Sequence, residues 1–106
     1  MTESEFLDLT DSLLESLQNA LDDAQLDVDY QLNGGVLELE FDNGAKMVIN
    51  RHVPNREIWV AARLGGFHFG LDAAGLWVNT RDGSELTDLV SRLVSETAGE
   101  RFSWKG

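Results

Sequence analysis

The chain has 106 residues, no cysteine, one proline and 42% hydrophobic residues, and its 8 lysines and arginines against 19 aspartates and glutamates give a formal charge of −11. That length supports a single domain, 1–106, with one modest core, and the missing cysteines exclude disulfides, thiolate nucleophiles and cysteine-held zinc or clusters. The charge disfavours nucleic acid and anionic membrane surfaces, and it favours cations or a basic protein partner.

Residues 4–23 place Phe6, Leu9, Leu13, Leu17, Ala20, Leu21 and Ala24 at steps of three and four, which predicts an amphipathic helix capped by Ser4 or Thr2. Asp8, Asp11, Glu15 and Asp22 fall in one stripe nearly opposite that apolar face, with no base among them. Like charges at these spacings repel by a few tenths of a kcal/mol each. Asp22 and Asp23 sit at the helix end where the dipole disfavours them, which makes them the stronger functional suspects. Residues 26–32 then alternate Leu26, Val28, Tyr30 and Leu32 with Asp27, Asp29 and Gln31, as a half-buried strand does.

Asn33-Gly34-Gly35 predicts a hairpin turn into a strand with Leu37, Leu39 and Phe41 inward and Glu38 and Glu40 outward. Asp42-Asn43-Gly44 turns again, and residues 45–50 form a third strand with Met47 and Ile49 inward. In residues 57–63 the phase that buries Ile58, Val60 and Ala62 is preferred, because the other pushes two β-branched residues into water. It leaves Trp59 on the solvent face with Lys46, Val48 and Asn50. A turn at Leu64-Gly65-Gly66 precedes a strand with Phe67, Phe69 and Leu71, and residues 76–79 make a short sixth strand. Ser84 is the expected cap of a second helix with Leu86, Leu89, Val90, Leu93 and Val94 on one side, stopped by Gly99. The fold class is α+β: a two-layer α/β sandwich, an antiparallel sheet of about six strands with both helices on one face.

The charge is uneven. Residues 1–42 hold twelve acids and no lysine or arginine, while the remainder holds seven acids and all eight bases. Catalysis has little support, since there is no phosphate loop, no nucleophile elbow and only two separated histidines, His52 and His68, each read as a plain surface residue; the chain is not expected to be an enzyme. Metal binding is better founded. Oxygen-only donors suit Mg, Ca, Mn or iron. Asp8, Asp11 and Glu15 at i, i+3 and i+7 can share a cation, with Asp27 and Asp29 pointing the same way from their strand, and a set without a cage should bind weakly. The same ridge can equally dock a basic protein, with salt-dependent affinity. An exposed Trp59 beside Arg51 and Arg63 would be a second contact surface. The opposing reading is a partly buried core aromatic whose indole N–H finds a nearby acceptor. A cytoplasmic protein is expected, because Glu3, Glu5 and Asp8 stand where an export signal needs positive charge.

SEF near the start, LDD closing the first helix, Asp-x-Asp on the first strand, NGGVLELEF, DNGAKMVINR, IWVA, GGFHF, a Trp-bearing strand, RDGSELTDL and a terminal FSW follow one another in the chain. In that order and spacing they resemble the frataxin family, its bacterial members in particular. The resemblance implies the sandwich described above, weak binding of Fe2+ or Fe3+ that other divalent cations can replace, and an adaptor or regulator role in iron-sulfur cluster assembly. It implies docking on the cysteine desulfurase and the scaffold protein, no membrane or nucleic acid, and a monomer open to iron-dependent oligomerisation. Asp22, Asp23, Asp27 and Asp29 match ridge acids that serve metal and partner alike. Asn50, Arg51 and Trp59 match a sheet face used by partners. Gln18 and Asn19 stand where bacterial relatives often carry a glutamate pair, Leu7 replaces a histidine of some relatives, and His52 stands where many have Gln. The alternative is an acidic interaction module that docks a basic partner without functional iron.

Overall fold

The computed structural model describes residues 1–106. The elements run α1 (Glu3–Ala24), β1 (Val28–Asn33), β2 (Val36–Phe41), β3 (Lys46–His52), β4 (Glu57–Ala62), β5 (Gly65–Leu71), β6 (Trp77–Asn79) and α2 (Leu86–Ala98). Every strand pairs antiparallel with its neighbour in the chain, so the sheet order is the sequence order and β1 and β6 are the edges. The inner face of the sheet carries Leu37, Leu39, Phe41, Met47, Ile49, Ile58, Val60 and Phe69 into one core with both helices. The outer face has no second layer.

Thr2 is the cap of α1. Its Oγ1 accepts from the Glu5 backbone N–H at 3.1 Å while Glu5 Oε1 accepts from the Thr2 N–H at 3.0 Å, a reciprocal pair that satisfies two orphan donors. The buried line of the helix is Phe6, Thr10, Leu14, Leu17 and Leu21. Leu9, expected on the apolar face, is 46% exposed because that line runs along the other flank. Thr10 can take its place in the core because its Oγ1 donates to the Phe6 carbonyl at 2.8 Å, leaving no unmet polar group.

Two further expectations shift. The turn before β5 is Arg63-Leu64, since Ala62 pairs with Gly65 and both glycines belong to the strand. The cap of α2 is Glu85, not Ser84. Ser84 is engaged upstream, its N–H and hydroxyl both donating to Asp82 Oδ1, and the Glu85 carboxylate curls back to accept from the Thr87 and Asp88 N–H groups. After Gly99 in the left-handed region, the tail returns along α2. Phe102 and Trp104 are buried there, their backbone N–H groups donating to Ser95 and Ser91, and Trp104 Nε1 donates to Ser16 of α1 at 2.9 Å. That tail belongs to the core, although its sequence has no period that would announce it.

Candidate metal and docking surfaces

The acids occupy two adjoining surfaces. Asp8, Asp11, Glu15, Asp22 and Asp23 are exposed along α1. Asp29 lies on the outer face of β1 directly opposite Glu40 of β2, a like-charge pair that opposes the sheet's own stability, and Asp27 and Asp42 line the same corner. No three carboxylates or imidazoles come together in a group that could hold a metal ion. The ridge is therefore a field of separate oxygen donors. Any ion it holds keeps most of its water or draws side chains together on arrival.

Two of the expected ligands already have partners. Tyr30, on the inner face of β1, donates its hydroxyl to Asp22, lying 2.8 and 2.9 Å from the two carboxylate oxygens. That bond holds the Tyr30 proton and raises its pKa above 10.0. Asp11 pairs with Arg51, whose Nη1 also reaches the Leu7 carbonyl and Thr10 Oγ1 at 3.4 Å. Asp11 stays 66% exposed, whereas Arg51 is only 18% exposed. Arg51 thus does not belong to the outer sheet face with Asn50 and Trp59. It follows Met47 and Ile49 in the alternation, turns inward beneath α1, and acts as a strut between helix and sheet. Gly35 makes room for it. A Cβ there would fall 2.9 Å from Arg51 Cγ, and the Gly35 backbone is left-handed at φ +83°.

On the outer face the expected phase of β4 is found: Ile58 and Val60 are buried, and Trp59 stands outside opposite Asn50 of β3 and His68 of β5. Its neighbours are histidines, not Arg51 and Arg63. The indole is stacked between His52, at a centroid distance of 3.8 Å, and His68, at 4.3 Å, with planes within 9°. Trp59 Nε1 donates to Glu57 Oε1 at 2.8 Å. Reading His52 and His68 as isolated surface residues missed this stack. The signal was the register: once β3, β4 and β5 are aligned antiparallel, all three rings share one face.

Comparison with known proteins agrees with this architecture. Residues 1–100 match the model of the frataxin-like domain, and the chain belongs to the frataxin family. Among individual proteins, it is 43% identical to the iron-sulfur cluster assembly protein CyaY of Vibrio cholerae over 98% of this chain and 99% of that one, and 47% identical to the CyaY of Janthinobacterium sp. over 93% and 92%. The frataxin structure from Psychromonas ingrahamii superposes with a TM-score of 0.93 at 32% identity, covering both chains fully. A trimeric yeast frataxin complexed with ferrous, from Saccharomyces cerevisiae, gives 0.70 at 33% identity over 94% of this chain and 88% of that one.

Proposed function

We propose that this protein serves iron-sulfur cluster assembly in the cytoplasm as a weak iron binder and adaptor, and that it is not a catalyst. The observation that carries the reading is an acidic ridge on a frataxin fold, built from a segment without lysine or arginine, whose carboxylates stand apart and remain open to solvent even where Arg51 meets Asp11. Hard oxygen donors suit Fe2+ and Fe3+ and leave room for other divalent cations. The names of the CyaY relatives and the ferrous complex of yeast frataxin support the same reading. Asp22, Asp23, Asp27 and Asp29, with Asp8, Asp11 and Glu15 toward the N-terminal end, receive the iron. The ridge also steers the basic surface of the cysteine desulfurase, and the outer sheet face with Asn50 and Trp59 receives the scaffold protein. Asp29 lies at the β1 edge of the same outer face as Asn50 and Trp59 while the other ridge acids lie on and beside α1, so a monomer can present both surfaces side by side.

The decisive measurement is iron titration of wild type against the variant carrying Asp22→Asn, Asp23→Asn, Asp27→Asn and Asp29→Asn. Loss of affinity is expected, and equal affinity overturns the iron assignment. The desulfurase complex should weaken at 0.5 M salt, where screening shortens to about 4 Å. A second reading, an acidic module that needs no iron, is favoured by the absence of any converged ligand set. Recovery of unrelated basic proteins in a pull-down, in place of desulfurase and scaffold, would support it.

A further inference from the structure

The stack of His52, Trp59 and His68 fixes how the outer face can be read by a partner. The three residues lie on β3, β4 and β5, and neighbouring strands are spaced about 4.8 Å apart. Centroid separations of 3.8 and 4.3 Å with planes 8° and 9° apart mean that the stacking direction runs across the strands. The rings therefore stand upright on the sheet like books on a shelf. Both faces of the indole are covered, and its rim is what points outward. The bond from Nε1 to Glu57 fixes rotation within the plane of the ring. His52 holds its place without hydrogen-bond help at Nδ1, which is buried and has no partner, so ring contact is what the side chain gains there.

We propose that His52 and His68 are positioning residues that hold Trp59 edge-on, so that a partner on this face meets the rim of three stacked rings. This rests on the reading above that the scaffold docks here. The rim is the positive end of an aromatic quadrupole, and imidazole edges add N–H donors. The surface accordingly suits carbonyl or carboxylate oxygens of the partner. An uncovered indole face would instead attract a guanidinium or ammonium group.

The test uses the indole N–H signal of Trp59 in 15N–1H spectra, identified by its loss in Trp59→Phe, together with titration of the scaffold protein. His52→Ala and His68→Ala should each move that signal, speed its hydrogen exchange and weaken scaffold binding about threefold to tenfold, as loss of one aromatic pair implies. His52→Phe and His68→Phe keep a ring in place and should stay within about twofold of wild type. An unmoved signal with unchanged exchange in both alanine variants overturns the clamp, whatever binding does. A moved signal with intact binding, where Trp59→Ala abolishes binding, overturns its part in docking. Scaffold binding that survives Trp59→Ala overturns the docking reading of the face and leaves the clamp to be judged on the indole signal alone.

Discussion

The ridge and the sheet face are built on opposite principles. Along α1 and β1 the charged groups are exposed and mutually repelling, and of the ridge acids only Asp11 and Asp22 are engaged, by Arg51 and Tyr30. On the outer face of β3–β5 the groups lock one another: His52 and His68 against the indole, Glu57 on its N–H. The ridge acts at a distance and adapts to what arrives, so its contribution is a field that salt can screen. The aromatic patch acts on contact and has its geometry set before a partner comes, so its contribution is shape. One small domain thus carries two physically different kinds of surface.

The largest expected effect breaks the link between the two regions. Gly35→Ala puts a Cβ against the Arg51 side chain at a positive φ, and both penalties point the same way; a loss of about 2–3 kcal/mol in urea unfolding is expected. A loss no larger than that of an ordinary surface change would show that Arg51 moves aside freely. Next, Trp59→Ala should lower scaffold affinity tenfold or more with little change in salt dependence, while the ridge quadruple variant should lose most of the salt dependence of desulfurase binding. If the two variants affect each other's partner equally, the division of labour fails. That quadruple variant should also melt at or above the wild-type temperature, since it relieves repulsion.

Smaller effects sharpen the picture. Tyr30→Phe removes the one donor on Asp22 and should raise iron affinity about twofold, the scale of a weak exposed hydrogen bond. Because the bond lifts the Tyr30 pKa above 10.0, the wild type keeps it at neutral pH and loses it only as pH rises past that raised value. The smallest effect lies at the start of α1. The Thr2 backbone N–H and hydroxyl hold the Glu5 carboxyl below its ordinary 4.5. That contribution is present above the unfolded value and disappears as pH falls through the lower folded one. Amide exchange in the first helical turn should therefore quicken only on acidification below 4.5.

Much of this was legible in residue order. Alternation placed β1 to β4 and set Trp59 outside, because a strand that buries Ile58 and Val60 has no other phase. The steps of α1 gave the helix but set its inner line one flank off, since a threonine that bonds its own backbone is indistinguishable from an exposed one in a hydropathy pattern. Arg51 lay one residue past the expected end of the third strand, so the alternation that turns it inward was not carried that far. The missing piece was Asp11, 40 residues earlier in the chain and brought close only by packing. The histidine stack likewise depends on register between three strands, and the buried tail on serines of α2 that look like ordinary helix surface. The individual ligands of the ridge were named from the same charges that the structure leaves exposed, and the mutational tests above address them one surface at a time.

The position of β1 at the rim of the sheet gives its acids a second consequence. An open strand edge is a template for the edge of another molecule, and carboxylates at such a rim keep two copies apart. Asp27 and Asp29, flanking and lying on β1, therefore guard that edge. Neutralising both, as Asp27→Asn with Asp29→Asn does, takes that guard away, so the topology of the meander ties the solubility of the fold to two side chains at its rim.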